Sequence, residues 1–185
     1  MLTFEQQALH LQKVSRTFAL TIPLLPMPLA DWVGNAYLLC RIVDTIEDDA
    51  HLTIASKKQH IAAYLAALQG QSDGVAWSQE LHPVLSELTP PGERLLIADI
   101  PAVLARLASF PAPVQAILIR GVSIMSQGMA QHKVCVSIAQ RADLDRYCYS
   151  VAGVVGELLT ELFAFYSPAL ASQKATLAPL AVSFG

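Results

Sequence analysis

Residues 37 to 49, Tyr-Leu-Leu-Cys-Arg-Ile-Val-Asp-Thr-Ile-Glu-Asp-Asp, close an apolar stretch with four carboxylates in six positions and an arginine three residues before the first. Wound as a helix at about 100° per residue, the segment sets Tyr37, Arg41, Asp44 and Asp48 within roughly 60° of one another. Two carboxylates and a guanidinium then share one surface. Carboxylates at a helix C-terminus also meet the negative end of its dipole, a repulsion that a cation relieves. Oxygen-only ligands suit a hard ion such as Mg²⁺, which takes one or two protein carboxylates and completes its shell with water and phosphate. The spacing alone leaves a second reading open, a solvated acidic helix end.

The rest of the chain is also helical in pattern, with no period-2 alternation and no internal repeat. Thr3 and Gln6 fit a capping box for a helix to about Val14, and Pro23, Pro26 and Pro28 separate it from the acidic helix. A third helix spans about Ser56 to Gln69 and stops at Gly70. Residues 71 to 92, with Gly74, Pro83, Pro90, Pro91 and Gly92, read as an irregular connection. Helices follow over about 94–109, 113–131, 143–166 and 168–182, with a restart at Pro101 after Asp99. The expected fold is all-α, a bundle around a central cavity, with residues 1–185 as one domain.

With 54% hydrophobic and 15% charged residues and a mean hydropathy of +0.44, the chain must bury a large apolar surface or line an apolar cavity. A formal charge of −3 without basic runs argues against nucleic acid. No uncharged run is long enough to span a bilayer, and the polar N-terminus is unlike a signal peptide. Cys40, Cys135 and Cys148 are odd in number and lie in apolar contexts, which reads as reduced core thiols of a cytoplasmic protein.

Three segments in order, Ser15-Arg16-Thr17-Phe18-Ala19-Leu20, Tyr37 to Asp49, and Tyr147-Cys148-Tyr149-Ser150-Val151-Ala152-Gly153-Val154-Val155-Gly156-Glu157, with Gly128-Met129 between the last two, resemble the squalene and phytoene synthase family of head-to-head prenyl synthases. The resemblance runs from about Ser15 to the last residue. It implies the class I isoprenoid-synthase-like helical bundle. Family members continue into a helix with a second aspartate-rich motif, so the expected architecture is the N-terminal part of that bundle without its C-terminal helices.

By this resemblance Asp44 and Asp48 are the ends of an Asp-x-x-x-Asp motif that holds Mg²⁺ against an allylic diphosphate. Glu47 falls elsewhere on the helix. Ser15, Arg16 and Arg41 match diphosphate-binding positions, and a planar guanidinium donates two parallel hydrogen bonds to phosphate. Tyr147 matches a tyrosine acting near the carbocation, and its phenol offers a donor, an acceptor and a π-face. Phe18, Tyr37, Met125, Gly128, Met129, Val151, Gly153 and Val154 are expected to wall the cavity. For Gly153 and Gly156 close helix packing is the other reading. Glu157 and Glu161 form a second acidic i, i+4 pair that does not replace the missing motif.

The implied reaction joins two prenyl diphosphates, farnesyl diphosphate favoured over geranylgeranyl diphosphate, through a cyclopropyl diphosphate to squalene, with NADPH as reductant, or to dehydrosqualene or phytoene without it. Release of a hydrocarbon implies peripheral association with membrane. A different class stays open: a non-catalytic relative that binds prenyl lipid or serves assembly. A chain lacking the C-terminal helices is expected to associate with itself through uncovered apolar faces.

Overall fold

Helix α1 (Phe4–Val14) starts at the capping box read from the sequence: Thr3 Oγ1 accepts from Gln6 N, and Gln6 Oε1 accepts from Thr3 N at 2.8 Å. The structure, a computed structural model, describes the backbone of residues 1–135 and 140–184, and the side chains of these apart from 132–135 and 184. Cys135 therefore lies outside the described side chains. Among the described residues every regular element is helical. They form two compact units, Met1–Pro111 and Ala112–Gly185.

In the first unit α2 (Phe18–Thr21) and a 3₁₀ turn (Ile22–Leu24) lead into α3 (Leu29–Asp48), the central helix. Leu38, Leu39, Ile42, Val43 and Ile46 of α3 are fully buried, each contributing about 1.5–3 kcal/mol by leaving water. Its N-terminal half is fixed by polar contacts. Gln7 Nε2 donates to Asp31 O at 2.9 Å and Oδ1 at 3.1 Å, Arg106 Nε donates to Asp31 Oδ1 at 3.1 Å, and Asn35 Nδ2 reaches Gln7 Oε1 and Val103 O at 3.3 Å. These contacts lock α3 against α1 and α7 (Ile100–Ala108).

Helix α4 (Ile54–Leu68) ends at Gly70, which takes φ +71° as the sequence suggested. Tyr64 donates its hydroxyl to Leu39 O at 2.8 Å and stacks on Trp77, with ring centroids 5.5 Å apart. Trp77 belongs to α5 (Gly74–Leu81), so the connection expected to be irregular contains a helix. Asp73 caps it by accepting from Val75 N at 2.8 Å, and Ser78 donates to Ile97 O of α6 (Pro91–Ala98) at 2.9 Å. The break between α6 and α7 falls at Asp99, ahead of Pro101.

The second unit holds α8 (Ala112–Cys135), α9 (Arg141–Cys148), a π-helical turn (Tyr149–Gly153), α10 (Val154–Tyr166), α11 (Pro168–Ala171) and α12 (Lys174–Phe184). Glycines set its helix spacing. A Cβ added at Gly121 would lie 2.5 Å from Leu158 Cδ1, one at Gly128 2.3 Å from Ser150 Cβ, and one at Gly156 2.1 Å from Ala181 O. The continuous segment Arg141–Tyr166 is long and apolar enough to cross a membrane by length and composition, a feature that a search for uncharged runs passes over because Glu157 and Glu161 interrupt it.

Candidate active site

Between residues 36 and 49 of an otherwise buried α3, the positions open to solvent are Tyr37, Cys40, Arg41, Asp44 and Asp48. That is the face expected from the helical repeat. Tyr37 donates its hydroxyl to Val14 O at 3.2 Å, tying the stripe to the end of α1, and its ring centroid lies 5.3 Å from that of Phe18. Ser15 Oγ accepts from Phe18 N at 3.0 Å and so starts α2, while Arg16 beside it is exposed. The first motif segment and the head of the acidic segment therefore meet at Tyr37.

Further along the stripe, Arg41 Nη1 stands 3.8 Å from Asp44 Oδ2, and Arg41 Nη2 pairs with Glu93 Oε1 of α6. Thr45 donates to Arg41 O at 2.8 Å and lies 3.4 Å from Glu93 Oε2. Burial works against the charge of Arg41, but the bond to Glu93 and the charges of Glu93 and Asp44 outweigh it and hold its pKa above the ordinary value. Asp44 is pushed up to about 6, chiefly by burial; Arg41 pulls it down, and Asp48, Glu47 and Glu93 push it up. Cys40, raised to about 12 by burial and by Asp44, is an unreactive thiol. Cys148 is exposed, which corrects its reading as a core thiol.

The other carboxylates of the cluster have separate tasks. Asp49 accepts from His51 N at 2.8 Å, Leu52 N at 3.0 Å, Ser86 N at 2.7 Å and Thr89 Oγ1 at 2.8 Å. Burial pushes its pKa up, but these four bonds prevail and hold it below the ordinary value. Asp49 is thus a staple between the end of α3 and the 86–89 loop. Glu47 is buried, and its carbonyl accepts from Lys57 Nζ at 2.5 Å. Asp48 projects into a cleft of about 120 Å³ shared with Thr45, Ser86, Thr89 and Glu93.

In the second unit Tyr147 is half-buried on α9, and Val151, also half-buried, lies in the π turn. Met125, Met129 and Val154 are buried, at 4%, 6% and 2% exposure. Gly128 faces Ser150, and Gly153 packs near Tyr149 and Val182. An apolar cleft of about 380 Å³ in this unit is lined by other residues, among them Leu159, Phe163, Leu170, Leu177 and Leu180. Glu157 accepts from the Tyr149 hydroxyl at 2.9 Å, and Glu161 pairs with Arg120 and with Lys174 at 3.4 Å. Both carboxylates of that second pair are therefore engaged by neighbouring side chains.

Glu93 escaped sequence reasoning because its partners lie 48 to 52 positions away. The one local signal is Gly92, where an added Cβ would lie 2.5 Å from Lys13 O; the missing side chain lets α6 approach α1 and brings Glu93 to α3.

Among the described residues no three His, Cys, Asp or Glu side chains stand together as a metal cage. The donor set nevertheless fits a hard divalent ion. Asp44 and Asp48 supply oxygen from one helix face, and a cation there would offset both the burial that chiefly raises Asp44 and the neighbouring carboxylates that add to it. Two carboxylates and a guanidinium on one helix face are the side chains that a diphosphate and its counter-ion require.

The squalene/phytoene synthase family model matches residues 11–185. Squalene synthase of Solanum lycopersicum is 32% identical over 84% of this chain and 35% of its own length, and that of Rattus norvegicus 27% identical over 83% and 34%. Two TcSQS structures, solved with the ligands BPH1237 and E5700, superpose with TM-scores of 0.77 and 0.78 at 25% and 26% identity, over 96% and 94% of this chain and 50% and 48% of theirs. The chain belongs to the squalene/phytoene synthase family. It spans about a third of the length of the curated relatives it matches.

Proposed function

We propose that this chain carries the first metal and diphosphate half of a Mg²⁺-dependent enzyme that condenses two farnesyl diphosphates head to head, through a cyclopropyl diphosphate, to squalene. One observation carries the reading: over residues 36–49 of a helix otherwise buried, the open positions are Tyr37, Arg41, Asp44 and Asp48, with Cys40 beside them. A guanidinium and two carboxylates on that face offer an ionic ligand both hydrogen-bond donors and oxygen ligands for its counter-ion. Squalene synthases among the relatives favour the squalene product, and hence NADPH as reductant, over dehydrosqualene or phytoene.

In this account Asp44 and Asp48 hold Mg²⁺, which when bound neutralises charge on the departing diphosphate. Arg41 and the exposed Arg16 donate to the diphosphate oxygens, and Ser15 adds its hydroxyl. Phe18 and Tyr37 cover the apolar start of the prenyl chain. In the second unit, the motif segment's likeness to the family assigns Tyr147 to the carbocation, and Met125, Met129, Val151 and Val154 to an apolar wall that keeps water out. The roles of Gly128 and Gly153 are to let helices approach closely enough to form that wall. A C30 hydrocarbon leaves into lipid, which places the protein at a membrane surface.

The test is product formation. With the full-length protein, farnesyl diphosphate, Mg²⁺ and NADPH, the expected extract contains squalene, and Asp44→Asn or Asp48→Asn lowers turnover at least about 100-fold while the helical signal is kept; the 185-residue chain alone is expected to be silent. Undiminished product in either variant at saturating Mg²⁺ overturns the metal assignment. Hydrocarbon from neither farnesyl nor geranylgeranyl diphosphate overturns the reaction.

A further inference from the structure

We propose that Glu93 is a positioning residue for Arg41 and that its charge makes diphosphate capture conditional on a divalent cation. The inference rests on the diphosphate reading of the α3 stripe. Glu93 stands in the first turn of α6 with its side chain 10% exposed, and its carboxylate pairs with Nη2 of Arg41. The Thr45 hydroxyl, 3.4 Å from Glu93 Oε2, donates to Arg41 O at 2.8 Å, so residues of two helices frame the same pair. The other terminal nitrogen of Arg41 is only 3.8 Å from Asp44, and its Nε is buried with no hydrogen-bond partner. The guanidinium is thus pinned at one corner and turned toward the carboxylate stripe.

The charge balance follows from that placement. Asp44 and Glu93 both face Arg41, and Asp48 and Glu47 are close enough to act on Asp44. Two carboxylates thus face the guanidinium, and two more lie beside Asp44. A diphosphate without a cation meets net negative charge, and the arginine that would attract it is already neutralised by Glu93. With Asp44 and Asp48 engaged by a divalent ion, most of that negative charge is offset, and the Nη1 edge of Arg41 that faces Asp44 becomes available as an anion donor. Glu93 lies on another helix from the stripe, so its charge can be removed without deleting either expected metal ligand.

Calorimetric titration of inorganic diphosphate into the 185-residue chain, with Mg²⁺ and with EDTA, tests this. Wild type should bind at least about tenfold more tightly with Mg²⁺. Glu93→Gln should strengthen metal-free binding about tenfold and shrink the Mg²⁺ dependence, whereas Glu93→Asp, which keeps the charge, should behave as wild type. A purely structural role would weaken binding equally with and without the ion, so the ratio is the readout. If the Gln variant loses its helical signal, Glu93→Ser provides the same comparison. Mg²⁺-dependent binding by wild type with an unchanged ratio in Glu93→Gln overturns the role of Glu93 alone. No binding by wild type under either condition overturns the diphosphate reading, and this inference with it.

Discussion

Burial lifts the Asp44 carboxyl to about 6 against an ordinary 3.8, even with Arg41 beside it. The folded chain therefore holds a proton between about pH 4 and pH 6 that the unfolded chain has lost, and stability falls as pH rises through that window. The penalty is fully present at pH 7, about 1–2 kcal/mol once screening at this partly open position is allowed for. Asp44→Asn should stabilise the protein by that amount at pH 7 and have little effect below pH 4, as urea unfolding at the two pH values would show. An unchanged or lower midpoint at pH 7 contradicts this. Mg²⁺ should raise the melting temperature at pH 7 and much less at pH 5, where Asp44 is mostly protonated. The stripe itself is legible in sequence because Tyr37, Arg41, Asp44 and Asp48 repeat with the helix. Glu93 is not, since only the approach of α6 at Gly92 brings it there. Nor does local sequence distinguish Asp48, open on the stripe, from Asp49, consumed by four loop hydrogen bonds.

Helix starts and stops follow chemistry that a reader of the sequence can find: the Thr3 box, the Gly70 cap and the Asp99–Pro101 break all fall where residue types put them. Helix α5 was hidden by the glycine and prolines around it, although Asp73 is a good cap and Trp77 and Leu81 are four apart and buried. The π turn at Tyr149–Gly153 leaves no mark on hydrophobic periodicity, because it changes hydrogen-bond register and not composition. It occupies the motif segment after Tyr147, as π turns often do at functional sites. Tight contacts in the second unit have a measurable cost. Gly156→Ala would set a methyl 2.1 Å from Ala181 O, so α12 must move, and a loss of about 1–3 kcal/mol is expected in urea unfolding. Gly70→Ala, with nothing within 4 Å but φ at +71°, should cost about 1 kcal/mol, from backbone strain alone. Equal and negligible losses would show that α10 and α12 do not pack this closely.

At the scale of the molecule, family membership rests on a match over residues 11–185 and on a shared helical fold, and the reaction rests on what the open face of α3 can bind. A mean hydropathy of +0.44 is explained in part by the buried α3 and the apolar Arg141–Tyr166 segment, which packs on α8 through Gly121 and Gly128. That packing covers one face of the segment, 28% of whose most apolar stretch is buried, and leaves Leu144, Tyr149, Phe165 and Tyr166 exposed. The central claim is that α3 presents a cation-dependent prenyl diphosphate site. Its most direct test is calorimetric binding of farnesyl thiolodiphosphate, an unreactive analogue, at pH 7 to wild type, Asp44→Asn and Asp48→Asn, each with Mg²⁺ and with EDTA. The account predicts binding by wild type that requires Mg²⁺ and falls at least about tenfold in both folded variants. Binding that is equally strong in EDTA, or unchanged in the two variants, would contradict it.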